Sequence, residues 1–273
     1  MTTTVLTASD SRSVAAVARA RTPGARIPLL RLVRVELRKM FDTRSGFWLM
    51  ASIVITSVLA TAAIIAFAPD DQLTFDNFAA AIGAPMTVIL PMIGILAVAS
   101  EWSQRSGLTT FTLVPHRGRV LGAKLLAAIT VGIVSMLIAL VVGTLGTLVG
   151  SAIADVDPVW NVSAVQFLHI VLASVLGMLF GFMLGLVIRN SAGAIVTYFV
   201  YTLVLPPLLG LLAANQQWFA DLQPWVDYTY AQNPLYNGSL TGEQWQHLAV
   251  SGALWFLLPM AVGLVLVRRA EVK

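Results

Sequence analysis

The chain contains no cysteine and few charged residues. The lack of cysteine excludes a disulfide framework, a cysteine-ligated zinc site and a thiol nucleophile. Only 11% of the 273 residues are charged, whereas a soluble domain carries about 25%. Because a solvated surface needs more charge than this, the composition argues against a water-soluble protein. The net charge of +4 would suggest nucleic acid, but the positions of the basic residues indicate a membrane instead.

Six stretches of the chain contain no charged residue, and each is 24 to 31 residues long. A helix that crosses a bilayer needs about 20 mostly apolar residues, and a charge at its centre is costly. We therefore predict an all-α polytopic membrane protein: a disordered tail at 1–28, an amphipathic helix at 29–44 and a six-helix transmembrane domain at 45–273. The charge-free stretches are 45–69, 77–100, 125–154, 158–188, 190–220 and 244–267.

One face of this arrangement has no basic residue. All 17 Lys and Arg residues fall in the N-terminal segment, the loop after the second span, the turn after the fourth span or the C-terminal tail. The opposite face carries acidic residues only, with Asp227 among them. By the positive-inside rule, both termini are predicted to be cytoplasmic in a multi-pass protein of the plasma (inner) membrane.

The helix at 29–44 is predicted to lie in the membrane interface. Arg31, Arg34 and Arg38 share one of its faces, and leucine, valine and methionine residues share the other. This pattern is typical of an interfacial helix whose arginines point toward anionic headgroups. Glu36 falls near the apolar face, so we expect it to have a partner. The alternative is a cytoplasmic extension of the first span.

The predicted spans lack the side chains that catalysis or proton relay would need. His169 is the only ionisable residue well inside them, so no paired carboxylates or serine with a base can be assembled. Proton-coupled transporters usually carry buried acidic or lysine residues, which the spans also lack. His169 and His247 are interpreted as packing residues, with substrate binding as the alternative. No GxxxxGK[ST] loop occurs, so we predict that the chain is not an enzyme and binds no cofactor.

Small residues line one face of the fourth span at intervals of four. Gly177, Gly181 and Gly185 belong to this stripe. Small residues let helix backbones approach closely in lipid. We predict close packing within one protomer, and the alternative is a dimer seam.

The loop between the second and third spans, 101–124, is predicted to begin as a short helix. Glu101 and Arg105 are four residues apart and would pair on it. Pro115 would end the helix, because the residue before a proline is steered out of the helical region. The basic residues that follow, up to Lys124, are expected to return the chain to the anionic inner leaflet.

The predicted loop helix has a partly apolar face. Leu108, Thr109 and Phe111 alternate apolar groups with hydroxyls rather than with lysines. A short cytoplasmic helix needs no apolar face unless it docks on another protein. We expect docking, and the alternative is a basic loop lying on the headgroups.

Three segments together resemble a known family. They are ELRKMFDTRSGFW at 36–48, the loop at 101–124 with PHRGR at 115–119, and RRAEVK at 268–273. Their order and spacing, with six spans between and around them, resemble the permease subunits of type-2 ATP-binding-cassette (ABC) exporters of the bacterial, actinobacterial-like kind. The resemblance covers the chain after residue 28.

The resemblance implies an efflux permease that forms a homodimer, or a heterodimer with a related permease. Separate cytoplasmic ATPase subunits would bind it and would hold ATP and magnesium, with no role for nucleic acid. The family's elbow helix corresponds to 29–41 and its coupling helix to 103–113. Its extracytoplasmic region, which often contains short re-entrant helices, corresponds to 214–243.

The substrate is left open by the sequence. Scattered polar and aromatic residues in the spans suit an amphipathic or hydrophobic substrate, and they also suit plain packing. Two other classes of function stay open: a self-sufficient secondary transporter or channel, and a non-transporting immunity or resistance protein. The candidate residues for lining a substrate path are Met86, Tyr198, Tyr201 and Thr202.

Overall fold

The computed structural model describes residues 28–103 and 117–269. Within these ranges no β-strand occurs, and a single bridge pairs Thr74 with Val159. The helices are α1 Leu29–Asp42, α2 Arg44–Phe67, α3 Phe75–Ser103, α4 Arg117–Ala154, α5 Ala164–Ile188, α6 Ser191–Asn215, α7 Gln217–Val226, α8 Tyr228–Gln232 and α9, which runs through Gly242–Gly252, Ala253–Leu257 and Leu258–Arg269.

Six of these helices, α2 to α6 and α9, are long and apolar enough to cross a membrane. Their apolar segments are 24 to 37 residues long, which exceeds the roughly 20 residues that a bilayer requires. The all-α, six-helix prediction is confirmed at this level. The chain therefore has the architecture of a multi-pass membrane protein.

Side-chain caps define two of the helix boundaries. Thr43 is extended and separates α1 from α2, and its hydroxyl accepts a 3.1 Å hydrogen bond from the backbone of Gly46. Arg189 adopts a left-handed conformation that ends α5, and the side chain of Asn190 accepts a 2.9 Å bond from the backbone of Gly193 to begin α6. These caps satisfy amide groups that the first turn of a helix leaves unpaired.

Two spanning helices contain a π-helical turn, and each turn lies just before a proline. The turn Val200–Val204 in α6 precedes Pro206, and the turn Ala253–Leu257 in α9 precedes Pro259. Proline lacks an amide hydrogen, and its ring clashes with the carbonyl four residues earlier, so the α-helical bonding pattern is interrupted there.

The core is centred where α3 crosses α5. A Cβ atom added at Gly181 would collide with the backbone of Pro91, and one at Gly185 would lie 2.7 Å from the carbonyl oxygen of Ile95. Gly177 is less crowded, since the nearest atom to its added Cβ is Pro91 Cγ at 3.9 Å. Gly181 and Gly185 therefore allow two helices of the same chain to approach closely.

The predicted position of Lys124 at the inner leaflet is wrong. Helix α4 begins at Arg117, so Lys124 lies inside a helix rather than in a loop. Its exposed fraction is 4%, and it is buried against α1 and α3 instead of facing headgroups. The physical reason is a buried acidic partner, which the charge count by face could not reveal.

The other features predicted for the 101–124 segment fall partly within the described ranges and partly outside them. Glu101 lies in the last turn of α3, and the stretch from Arg117 to Lys124 belongs to α4. The other predicted docking residues lie outside the described ranges: Arg105, Leu108, Thr109, Phe111 and Pro115.

Candidate functional site

A buried ion pair joins α1 to the base of the bundle. Lys124 Nζ lies 2.6 Å from Glu36 Oε2 and donates a 3.2 Å hydrogen bond to the carbonyl of Ala97 in α3. Lys39 Nζ lies 2.8 Å from the other oxygen of Glu36. Because Glu36 is only 6% exposed, this cluster ties α1, α3 and α4 together about two helical turns from Ser103 and Arg117, the residues that flank the 104–116 segment.

The arginines of α1 lie away from this ion-pair cluster of Glu36, Lys39 and Lys124, which we call the Glu36 joint. Arg31, Arg34 and Arg38 are exposed, and Arg38 Nε lies 3.5 Å from Asp42 Oδ2. Glu36 is the one buried residue of the helix. Helix α1 thus has a charged, exposed face and a buried face, and Glu36 on the buried face pairs with Lys124 of α4.

The connection between α6 and α9, residues 216–241, folds back among the spanning helices, and we call it the re-entrant segment. The side chain of His169 bonds the carbonyl of Gly238 at 2.7 Å, the amide of Gln232 donates to the carbonyl of Ala173 at 2.7 Å, and the ring of Tyr228 stacks on Phe180 at 5.8 Å. These three positions on α5 lie about 8, 14 and 24 Å from its first residue, at 1.5 Å per residue. The segment therefore reaches deep into the bundle.

The tip of this re-entrant segment lies between α5 and α9. The indole of Trp255 donates a 2.6 Å bond to the carbonyl of Val226, which is the last residue of α7. The ring of Tyr228 lies 3.5 Å from the place where Gly252 would carry a Cβ. Non-helical backbone at membrane depth is tolerated when protein surrounds it, as it does here.

Asp227 occupies the tip and is 5% exposed. Its carboxylate accepts a 3.1 Å bond from the amide of Gln223 and another of 3.1 Å from the backbone of Tyr230, which caps α8. The sequence assigns Asp227 to the connection opposite the basic face, and the structure keeps it in that connection but buries its side chain within the bundle. The charge-free stretches lack carboxylates, yet Asp227 supplies one from the connection, so the case for a secondary transporter is open again.

By composition, the aromatic residues of 214–243 suit the membrane interface, but the structure divides them between surface and core. Trp218 and Tyr230 are exposed, as interfacial residues would be. Tyr228 is 3% exposed and belongs to the core. The cluster of aromatic residues at 214–243 was the available signal, but an aromatic belt and an aromatic core have the same composition.

A cavity of about 280 Å³ lies where the re-entrant segment meets α3, α5 and α6. The structure brings all four candidate path residues to its wall, although they come from two distant parts of the chain. Thr229 Oγ1 donates a 3.2 Å bond to the hydroxyl of Tyr201, and the hydroxyl of Tyr198 donates to the carbonyl of Thr87. The four candidate residues are Met86, Tyr198, Tyr201 and Thr202.

Aromatic rings dominate one side of this cavity. Phe180 lies 4.4 Å from Tyr201 and 5.8 Å from Tyr228, measured between ring centroids, and Tyr201 lies 5.6 Å from Trp255. The hydroxyl of Tyr228 is buried and has no hydrogen-bond partner among the described residues. The π-helical turns carry Tyr201 and Trp255, so the prolines behind those turns help to shape this wall.

The two histidines lie near the outer part of the re-entrant segment. His169 lies 5.7 Å from the ring of Trp245, in addition to its bond with Gly238. His247 lies edge-on to Trp225 at 4.4 Å, and its Nε2 is 3.7 Å from Glu243 Oε1. Across the described ranges, no group of three His, Asp or Glu residues is placed to hold a metal ion.

Comparisons with known proteins leave the chain without a family. No protein-family model matches it, and no curated protein matches it. Function must therefore be argued from the joint at Glu36, the re-entrant segment and the cavity.

Proposed function

We propose that the chain is the membrane-spanning permease subunit of an ABC exporter, in which separate ATPase subunits supply the energy. The observation that carries this proposal is the buried Glu36–Lys124 pair, about two helical turns from the 104–116 segment. An ATPase outside the membrane can move a transport cavity only through rigid contacts. The pair couples the start of α4 to α1 and α3, so a push on the loop would be transmitted to three helices at once.

The proposed orientation places this joint in the cytoplasmic half of the bundle. Both termini are cytoplasmic, because every basic residue of the chain falls on that side of the six spans. Helix α1 then lies in the inner interface, with the exposed Arg31, Arg34 and Arg38 toward the headgroups. The re-entrant segment enters from the opposite side of the plasma membrane.

The proposed partners are two cytoplasmic ATPase subunits and a second permease chain, either a copy or a paralogue. The ATPases hold ATP and magnesium, and the permease is not itself an enzyme. Leu108, Thr109 and Phe111 are proposed to dock on the ATPase, with Arg105 and Pro115 in the same segment and Glu101 in the last turn of α3. The cavity at Tyr201 is part of the substrate path, which leads outward.

The experiment is affinity purification of the full chain from native membranes in a mild detergent. A co-purifying protein with a phosphate-binding loop supports the proposal. The substitution Leu108→Ala together with Phe111→Ala is the matched variant, since it should release the ATPase without disturbing the spans. A wild-type chain that is recovered intact without any ATPase would contradict the proposal.

A secondary transporter is the second candidate, and Asp227 favours it. A carboxylate buried at membrane depth is a common ion or proton relay. In that case, transport by the purified chain in vesicles would follow an ion gradient without ATP, and Asp227→Asn would abolish it. Transport that requires ATP would exclude this candidate.

A further inference from the structure

The cavity wall combines many aromatic rings with no charged side chain. The described residues that line it include Phe180, Tyr198, Tyr201, Tyr228 and Tyr236 but no Lys, Arg, Asp or Glu. The face of an aromatic ring carries negative potential and attracts cations within about 6 Å of its centre. Such a wall favours a ligand that is apolar in surface and positive in charge.

A buried carboxylate next to the cavity adds to this preference. Asp227 directly precedes two lining residues, Tyr228 and Thr229. Its bonding partners are the neutral amide of Gln223 and the backbone of Tyr230, and it forms no ion pair within the described part of the chain. An uncompensated charge in a low-dielectric interior acts over longer distances than it would in water.

We infer that this cavity binds a compact hydrophobic organic cation, whose charge is stabilised by the aromatic rings and by Asp227. The volume of about 280 Å³ suits a small ligand. The hydroxyl of Thr202, which donates to the carbonyl of Tyr198, leaves its oxygen as an acceptor in the same wall. This inference rests on the proposed function in one respect, because it takes the bound cation to be a transport substrate.

The test uses phenyltrimethylammonium as the probe and tert-butylbenzene as its neutral isostere. The full chain is purified in lipid nanodiscs without any ATPase, and binding of the radiolabelled cation is measured by equilibrium dialysis. Saturable binding is expected to the wild-type chain. Excess tert-butylbenzene should not displace the cation, because it has the same shape and lacks the charge.

Three variants separate the contributions of the Asp227 charge, the Tyr201 ring and the Tyr201 hydroxyl to cation binding. Asp227→Asn keeps the cap on α8, since Asn and Asp are similar caps, and it should weaken cation binding about tenfold. Tyr201→Leu removes a ring and should weaken binding about threefold to tenfold. Tyr201→Phe keeps the ring and loses the hydroxyl, so its affinity should stay within about twofold of wild type.

Three results would overturn the inference: no saturable binding to the wild-type chain, equal displacement by tert-butylbenzene, or unchanged affinity in both Asp227→Asn and Tyr201→Leu. If Asp227→Asn fails to fold, the comparison of Tyr201→Leu with Tyr201→Phe decides. Because no ATPase is present, the two proposals fail separately. A chain that captures an ATPase but binds no cation keeps the permease function, and one that binds the cation but captures no ATPase keeps the site.

Discussion

Lys124 is buried although it follows a basic loop, because Glu36 and the carbonyl of Ala97 replace the water that its ammonium group loses. Burying one charge alone would be prohibitive, whereas a hydrogen-bonded pair is tolerated. Removing one partner leaves the other charge buried without compensation, which destabilises the contact between α1, α3 and α4.

Removing the positive charge at this joint should destabilise the protein. Lys124→Met leaves Glu36 buried without its closest partner and should lower the free energy of unfolding by about 3 to 5 kcal/mol. Lys39→Met is the control, because the side chain of Lys39 is 45% exposed and should contribute about 1 kcal/mol or less. Thermal unfolding in detergent measures both. Equal stability of the two variants would show that the joint is not structural.

A methyl group should be tolerated at Gly177 and not at Gly181. Gly181→Ala forces its Cβ into the backbone of Pro91, which cannot move aside as a flexible side chain could. We expect a loss of at least about 1 to 3 kcal/mol, the usual range for overpacking. Gly177→Ala, on the same stripe, should be nearly neutral. Thermal unfolding of both variants in one detergent is the measurement, and matching melting temperatures would contradict the close crossing of α3 and α5.

The spanning helices follow from the residues alone, whereas re-entrant helices at 214–243 are expected only from the family resemblance, and their contacts are not predicted. A span is a local property, since the cost of placing a charge in lipid appears in every window of about 20 residues. The Glu36–Lys124 ion pair and the ring contact of Tyr228 with Phe180 join residues that are far apart in the sequence. The sequence offers Met86, Tyr198, Tyr201 and Thr202 as candidates for lining a substrate path, but only packing shows that they share one cavity.

The lack of cysteine makes the re-entrant segment easy to test. Gln217→Cys lies at the exposed start of α7, and Ala231→Cys replaces a residue that is 3% exposed. In native membranes, a membrane-impermeant maleimide should label the first position and leave the second unlabelled. Equal labelling rates would show that the segment lies on the surface. Labelling of both after denaturation in detergent is the control.

The two ends of the helix bundle differ in charge and in packing. The basic residues and the Glu36 joint lie toward the side proposed as cytoplasmic, and the re-entrant segment with Asp227 enters from the other side. The re-entrant segment lines the cavity together with α3, α5 and α6. A conformational change that starts at the joint would therefore reach the cavity through α3, which contacts both.

Six spans fix the side on which each connection lies. Reporter fusions after Asp71, Asp155 and Gln232 should report the outside, and a fusion after Arg117 should report the cytoplasm, because the basic residues cluster around that position. Activity of paired reporters with opposite compartment requirements is the measurement. A fusion after Arg117 that reports the outside would contradict the orientation.

Coupling to a separate ATPase predicts that the purified complex hydrolyses Mg·ATP. The chain purified from native membranes and placed in nanodiscs should carry an ATPase activity. Leu108→Ala with Phe111→Ala should lose most of it, since each apolar side chain that is fully buried in a contact contributes about 1.5 to 3 kcal/mol. Membrane insertion of the variant should be unchanged. Hydrolysis that is absent from the wild-type preparation, or is equal in the double variant, would contradict the account.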